Sequence, residues 1–343
     1  MPGDVVPGGL ETRASTEQLW QLHHECRLAE SIRVRLRSFR ARHFGELIAG
    51  LHRLPWHAYL SPDRALDVRV VCHRSRLWHS EAVAERTRAV IEHHLRPGKN
   101  ADEGNIQTVF VRITGDIVQP SIDASGELLH RRGHRKFIGQ APLRETLAAA
   151  LVLVLRASTD TSRIALWDPF CGSGCIVVEW LESHLGWSSG RDRTFAFEQW
   201  PVHNAQAYAR WIENRRTNPA SSVHAYGSDI AQDVILAARA NAQSSGAEPY
   251  CTLMCGDFES FVESIPRGTA IVTNPPYGIR CGDPRTYARL LERFEAMLLR
   301  RVDLRPVVAL LPEPLRPWQP KLEWQPVTKF HNGGLPVQIL RLN

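Results

Sequence analysis

The pattern of hydrophobic and polar positions changes once along the chain. In the first part, Ile32, Val34 and Leu36 alternate with arginines, a period of two that predicts a strand with one buried face. The other predicted elements of this part are strands at 67–71, 105–114 and 116–123, a helix at 79–95, and a tight turn at Gly115. The first part is therefore predicted to be a small α+β unit.

From residue 164 onward, short apolar runs alternate with segments of helical periodicity. The predicted strands are 164–167, 223–227, 250–255, 269–274 and 306–311, and the predicted helices are 176–185, 231–243 and 287–300. Asn332-Gly333-Gly334 then separates two apolar stretches and predicts a closing hairpin. Alternation of strands and helices that ends in a hairpin predicts a doubly wound, mostly parallel sheet with an antiparallel edge.

Length and composition fit a globular chain of two domains, which we place at 1–139 and 140–343. The 43% hydrophobic content excludes disorder as the main state, and the longest apolar run, 147–155, is too short to cross a membrane. The opening nine residues contain neither an apolar core nor an arginine run, so a cytoplasmic location is expected.

Charge and cysteine content narrow the possible partners. Residues 1–150 carry 22 basic and 17 acidic side chains. This excess of five positive charges is nearly all of the net charge of +6, and it favours a polyanionic partner near the first domain. The seven cysteines are dispersed and include no CxxC pair, so we expect neither a disulfide scaffold nor a metal site.

A glycine-rich motif, Asp168-Pro-Phe-Cys-Gly-Ser-Gly174, lies between a predicted strand and a helix. Gly172 and Gly174 allow the backbone to pass close to a ligand at the carboxyl end of that strand. The motif lacks the lysine of a phosphate-binding P-loop and the third glycine of the dinucleotide fingerprint. It therefore predicts a ligand site of another kind.

A second motif, Asn274-Pro275-Pro276-Tyr277-Gly278, follows the apolar strand at 269–274. The prolines stiffen the loop and donate no hydrogen bond, so the Asn274 side-chain oxygen and the Pro275 carbonyl are expected to be acceptors with no competing donor. Tyr277 adds an aromatic face. Such a loop suits a planar ring that carries an amino group.

Together these two motifs resemble the S-adenosylmethionine-dependent methyltransferases that modify exocyclic amines of nucleobases. The segments that narrow the resemblance are LLHRRGHRKFIGQAPLRETLAAAL, FAFEQWPVHNAQ, AYGSDI and KFHNGGL, with LHRLPWHAYLSPD in the first part. With them the chain resembles the bacterial ribosomal RNA guanine-N2 methyltransferases that carry a THUMP domain. The resemblance implies a Rossmann-like methyltransferase sheet in 140–343 and a THUMP-containing RNA-binding region, with a shortened lead-in, in 1–139.

The same resemblance implies a cofactor site for S-adenosylmethionine. Phe170, Gly172 and Gly174 would hold its methionine part, Asp168 of the same motif would also belong to the cofactor site, and Asp257 would accept from the adenine amine. Two acids compete for the ribose hydroxyls: Asp229, in GSDI, is favoured over Glu198, in TFAFE. Phe258 would either pack on the adenine or belong to the core.

For the reaction, the resemblance assigns Asn274, Pro275, Pro276 and Tyr277 to the target amine and demands no catalytic base. The expected substrate is a guanosine of RNA, most of all large-subunit ribosomal RNA. The alternatives are transfer RNA, an adenine-N6 methyltransferase acting on DNA or RNA, and a catalytically silent RNA-binding assembly protein. RNA phosphates are expected to contact the basic connector 128–136, at Arg131, Arg132 and Arg135, unless this stretch is only a solvated linker.

Overall fold

The computed structural model describes residues 2–96, 102–133, 143–161, 164–215, 223–277, 284–314 and 318–343, with the backbone alone for 102–104 and 284. From residue 4 to 123 the elements are β1 (Asp4–Val6), β2 (Gly9–Glu11), α1 (Thr16–Glu25), β3 (Arg33–Arg35), β4 (Phe39–Arg40), α2 (Phe44–Leu51), α3 (Trp56–Tyr59), β5 (Arg64–His73), α4 (Ser80–Leu95), β6 (Asp102–Thr114) and β7 (Ile117–Asp123). From residue 145 they are α5 (Glu145–Ser158), β8 (Leu166–Asp168), α6 (Cys175–His184), α7 (Ala205–Glu213), β9 (Ala225–Asp229), α8 (Gln232–Ser245), β10 (Cys251–Cys255), β11 (Ala270–Thr273), α9 (Pro284–Arg300), β12 (Val307–Pro312), β13 (Gln325–Asn332) and β14 (Leu335–Leu342).

The chain forms two compact units. Unit 1 comprises Met1–Leu129 and Arg193–Arg216, and unit 2 comprises His130–Asp192 and Thr217–Asn343. This division differs from the predicted boundary at 139/140, because the segment 193–216 joins the first unit rather than the second. The physical reason is apolar burial: Phe195, Phe197 and Tyr208 of this segment lie in the hydrophobic core of unit 1.

Unit 1 is built on a five-stranded sheet in the order β3-β7-β6-β5, with β4 also paired to β7. Strands β5 and β6 run parallel, and α4 connects them; β6 and β7 form the antiparallel hairpin that was predicted around Gly115. Val109, Val111 and Ile113 alternate into the buried core, as the period-two pattern requires.

Unit 2 contains a seven-stranded sheet in the order β10-β9-β8-β11-β12-β14-β13. Five neighbouring strands are parallel, and the hairpin β13–β14 pairs antiparallel to β12. Numbered within this sheet, the order is 3-2-1-4-5-7-6, which confirms the predicted doubly wound sheet with an antiparallel edge.

Both faces of the central strands are buried, which explains their nearly continuous apolar sequence. Successive residues, such as Leu166 and Trp167 or Ile271 and Val272, are fully buried in two different hydrophobic clusters. The clusters also take in residues of α5 and α6 on one side and of α9 on the other. A sheet covered on both faces leaves its strand ends as the place where a ligand can reach the backbone.

In the described residues, no helix has both the length and the apolar character that crossing a membrane requires. The segment TFAFE, which contains the candidate ribose acid Glu198, runs into a short 3-10 helix at Ala196–Gln199.

Candidate functional site

The carboxyl ends of the parallel strands bring four of the predicted site residues to one edge of the unit 2 sheet. Asp168 ends β8, Asp229 ends β9, Asp257 follows β10 by two residues, and Asn274 follows β11 by one. Strands β10, β9, β8 and β11 are consecutive and parallel, so these ends lie side by side. This is the edge at which ligands bind to sheets of this kind.

The glycine-rich loop after β8 is fixed by the neighbouring strand. The Gly172 amide donates to Asp229 Oδ2 at 3.0 Å, and the Cys171 amide donates to the Ser228 carbonyl at 2.9 Å. Gly172 has a φ of 53° and Gly174 a φ of 82°, both in the left-handed region that favours glycine. A Cβ at Gly172 would meet no atom within 4 Å, so the backbone here faces open space that a ligand can fill.

Asp229 also accepts from the Ala231 amide, through Oδ1, at 3.0 Å. Its carboxylate is therefore held beside the open backbone of Gly172. Each carboxylate oxygen has two lone pairs, so one remains on each oxygen to accept from a pair of hydroxyls. The chemistry of these residues is compatible with the ribose and methionine parts of S-adenosylmethionine, and the assignment stays a prediction.

A buried hydrogen bond joins the two motifs. Thr273 Oγ1 donates to Asp168 Oδ1 at 2.7 Å across 105 residues of sequence, and the Phe170 amide donates to the same oxygen at 3.2 Å. Asp168 is 1% exposed, and this burial, with a smaller contribution from the charge of Asp229, raises the pKa of Asp168 to about 7. Asp168 therefore links the start of the glycine-rich loop to the end of β11.

We expect Asp168→Asn to change how stability depends on pH. Because the folded pKa of about 7 exceeds the unfolded value of 3.8, the stability contributed by protonated Asp168 is complete below pH 4 and is lost as the pH rises to 7. Asparagine does not titrate, so the unfolding free energy of the variant should rise relative to wild type across this window, by at most ~1.4 kcal/mol per pH unit. Denaturant unfolding between pH 4 and 8 measures it, with the exposed Asp63→Asn as control. Parallel pH profiles for wild type and Asp168→Asn would contradict the buried titration.

The Asn274 side chain has a hydrogen-bond donor that the sequence interpretation did not expect. Tyr277 donates its hydroxyl to Asn274 Oδ1 at 2.6 Å, which corrects the expectation of an acceptor without a competing donor. Burial raises the pKa of Tyr277, so its hydroxyl stays protonated and can donate. An amide oxygen accepts two hydrogen bonds, and the second lone pair remains for a substrate amine. Pro275 is buried and Pro276 is exposed.

Asp257 is held by an arginine from α9. Arg293 Nη2 lies 2.8 Å from both carboxylate oxygens of Asp257, and the Glu259 amide donates to Oδ1 at 3.0 Å. Burial alone would raise the pKa of Asp257, but these hydrogen bonds outweigh it and lower the pKa. The carboxylate is thus an ionised acceptor. Phe258 is buried in edge contact with Phe170 and Phe294, which makes it a core residue.

The structure separates the two candidate ribose acids. Glu198 lies in unit 1, where its Oε1 accepts from the Phe195 amide at 2.7 Å. It ends no strand of the unit 2 sheet, whereas Asp229 ends the strand beside β8.

The three connector arginines have different surroundings. Arg131 is exposed. Arg132 is 1% exposed and its guanidinium lies 3.7 Å from the carboxylate of Glu179 on α6, so the predicted phosphate contact does not fit this side chain. Gly133 passes so close to the backbone of Asp192 that an added Cβ would lie 2.4 Å from its carbonyl oxygen. Arg132 and Gly133 are therefore in close contact with other parts of unit 2 rather than in a free linker, and Arg135 lies outside the described residues.

Sequence reasoning missed three residues that position the site: Thr273, Ser228 and Arg293. Ser228 donates to the Pro169 carbonyl at 3.3 Å, and its own hydroxyl oxygen accepts from Trp167 at 3.2 Å. Thr273 directly precedes Asn274, and Ser228 directly precedes Asp229. A polar side chain at the end of a buried strand, next to a predicted site residue, could have identified both as positioning residues. Nothing in the local sequence marks Arg293.

Strand order, glycine loop and acidic strand end together define a Rossmann-like methyltransferase. Residues 132–313 match the family UPF0020, described as RMKL-like, methyltransferase domain, and the chain belongs to this family. The predicted cofactor class, S-adenosylmethionine, is thereby confirmed at the level of family and fold. Among the residues that the structure describes, no cluster of side chains could hold a metal ion.

Two curated relatives and one solved structure illustrate the similarity. The ribosomal RNA large subunit methyltransferase K/L of Psychromonas ingrahamii is 29% identical in an alignment of 290 residues, which covers 80% of this chain and 38% of that protein. The chain therefore spans well under half of this relative. The candidate RNA methyltransferase slr0064 of Synechocystis is 26% identical over 94% of this chain and 85% of its own. SMU.472, a candidate methyltransferase complexed with SAH, superposes with a TM-score of 0.85 at 23% identity, covering 99% of this chain and 90% of that one.

Proposed function

We propose that this protein transfers a methyl group from S-adenosylmethionine to the exocyclic N2 amine of a guanosine in RNA, most of all large-subunit ribosomal RNA. The main support is one juxtaposition: the proline-framed Asn274 follows β11, and the open glycine loop follows β8, its direct neighbour in the sheet. Thr273 and Asp168 tie the two ends together by a buried hydrogen bond. The proposed acceptor for the amine and the proposed cofactor loop would thus lie at one edge of the sheet.

The cofactor would be held by the loop and by two carboxylates. The open backbone at Gly172 would face the methionine part, Asp229 would accept from the ribose hydroxyls, and Asp257 would accept from the adenine amine. When bound, S-adenosylmethionine supplies the methyl group that is transferred.

The residues after β11 would act on the nucleophile. A guanine N2 is a weak nucleophile because its lone pair is delocalised into the ring. Hydrogen bonds to the Asn274 oxygen and the Pro275 carbonyl would stabilise the positive charge that develops on this nitrogen. Tyr277 would keep the Asn274 amide oriented through its hydroxyl. The amine can lose its proton after the transfer, so no side chain is assigned as a base.

RNA as the substrate is favoured by the names of the relatives and by the charge of the first part of the chain. Unit 1, in which we propose the THUMP domain, has 21 basic and 18 acidic side chains, and the basic excess of 1–150 lies mainly at 130–150, which has five basic side chains and one acidic side chain. A guanosine in a loop can leave its stack at low cost, which an amine methyltransferase needs. The alternative substrates are transfer RNA and an adenine-N6 target. The alternative to an enzyme is a catalytically silent RNA-binding protein.

One experiment distinguishes these functions. The protein is incubated with methyl-labelled cofactor and with undermethylated ribosomal RNA, transfer RNA or DNA, and the labelled nucleoside is identified. We expect N2-methylguanosine from ribosomal RNA. Label in N6-methyladenosine, or label from transfer RNA alone, would replace the proposed substrate, and cofactor binding without any label would favour the silent protein.

The ribose assignment predicts a specific loss of cofactor affinity. Asp229→Asn keeps the shape of the side chain but removes the charge, so we expect cofactor binding to weaken by about 10-fold or more, since hydrogen bonds to charged groups contribute ~1.5–3 kcal/mol. Glu198→Gln, in unit 1, is the matched control and should leave the affinity unchanged. Calorimetric titration with S-adenosylhomocysteine measures both. If only Glu198→Gln weakens binding, the ribose acid is reassigned.

A further inference from the structure

Trp78 is an exposed aromatic side chain between β5 and α4 of unit 1. Its exposed fraction is 75%, whereas the other nine tryptophans of the chain are buried or half-buried. Exposing an indole to water forgoes the free energy of burying one of the largest apolar side chains. The ring of Trp78 lies 5.5 Å from that of His79, its neighbour in the chain, and most of its surface stays open to a partner.

The loop that carries Trp78 is fixed by the turn between β6 and β7. Asp116 Oδ1 accepts from Ser75 Oγ at 3.0 Å and from the Arg76 amide at 2.9 Å. Arg74 and Asp116 have φ values of 46° and 65°, a region that costs a non-glycine residue free energy. The loop is held in this shape before any partner binds, so a partner would not have to order it.

Three exposed arginines lie in this loop or near Asp116. Arg74 and Arg76 are in the loop, and Arg40 lies on β4, opposite Ile117, the residue after Asp116. Hydrogen bonds from the Arg76 amide and Ser75, with the charges of Arg76 and Arg40, lower the pKa of Asp116, so this carboxylate faces two of the three cations. We call this set of residues, Arg40, Arg74, Arg76, Trp78 and Asp116, the Asp116 corner.

We propose that the Asp116 corner binds an unpaired nucleotide of RNA, with its base stacked on Trp78 and its flanking phosphates contacted by the arginines. An aromatic face beside positive charge is the combination by which proteins hold single-stranded nucleic acid, because every base has a face that stacks and every phosphate is an anion. This inference rests on the proposed function for the choice of RNA, and it adds a binding surface outside the methyltransferase unit.

Loss of base stacking and loss of a phosphate contact should change RNA binding in different ways. Trp78→Ala should weaken binding of a fluorescein-labelled single-stranded RNA by about 5- to 100-fold without changing the salt slope, since no charge is lost. Trp78→Phe should restore most of the affinity. Arg74→Gln or Arg76→Gln should each reduce the slope of log K against log salt by about 0.7, whereas Arg53→Gln, an exposed arginine of the same unit, should reduce it less.

The test is fluorescence anisotropy with the full chain, comparing the single strand with the same sequence in a complete duplex. The loss caused by Trp78→Ala should be confined to the single strand, because bases in a duplex are already stacked. An equal loss for both RNAs, or no loss for either, would overturn the proposal, as would wild-type protein that binds neither. If Trp78→Ala loses affinity for the single strand alone and the labelling assay detects no methyl transfer, nucleotide binding at the Asp116 corner is supported and the proposed reaction is refuted.

Discussion

Asn274→Ala is expected to reduce methyl transfer about 100- to 1,000-fold while leaving cofactor affinity nearly unchanged. The estimate is that for removing one preorganised hydrogen-bonding group from the place where charge develops in a transition state. Asn274 follows β11, whereas the proposed cofactor contacts follow β8, β9 and β10. Single-turnover kinetics with labelled cofactor, alongside calorimetric titration with S-adenosylhomocysteine, measure the two quantities separately.

Tyr277→Phe is a milder variant that tests the same hydrogen bond. It removes only the hydroxyl that donates to Asn274 Oδ1 and keeps the aromatic ring. We expect a smaller loss of rate than for Asn274→Ala, because the amide remains but its orientation is less fixed. Equal loss of rate and cofactor affinity in Asn274→Ala would show that Asn274 supports the fold of the site rather than the target amine.

Arg132→Met is expected to destabilise the protein by about 3–5 kcal/mol, the cost of removing one partner of a buried ion pair. Arg132 and Glu179 are 1% and 2% exposed, so water cannot solvate the carboxylate that the substitution leaves behind. Chemical denaturation at neutral pH measures the change in unfolding free energy.

Two further variants test whether the ion pair is the cause. The exposed neighbour Arg131→Met loses the same charge and should change stability by no more than about 0.5 kcal/mol. The double variant Arg132→Met with Glu179→Leu should recover much of the stability, since it removes both charges of the pair together. A double variant as unstable as the sum of its single variants would show that the two side chains contribute independently.

Sequence motifs and hydrophobic periodicity predicted the strands, turns and loops that are determined by residues close together in the sequence. The buried strand at 269–274 became β11, the hairpin around Asn332-Gly333-Gly334 became β13 and β14, and the glycine loop has the predicted left-handed backbone. The choice of Asp229 over Glu198 agrees with the placement of Asp229 at a strand end, although its contact with the ribose stays a prediction. Phe258, for which two roles were open, lies in the core.

The predictions that failed concern which distant residues meet. A run of basic residues at 128–136 gave no sign that Arg132 would be buried against Glu179, 47 positions away, while Arg131 stayed exposed. The domain boundary likewise missed that the aromatic segment 193–216 returns to the core of unit 1.

The sequence alone determined the class of sheet, the two motif-bearing loops and the family, because each is encoded in short stretches whose spacing and residue types limit the backbone. Tertiary structure alone decided that Thr273 braces Asp168, that Arg293 holds Asp257, and that Arg132 is withdrawn from solvent. Such pairings depend on how strands and helices pack, and packing is a property of the whole unit rather than of any segment.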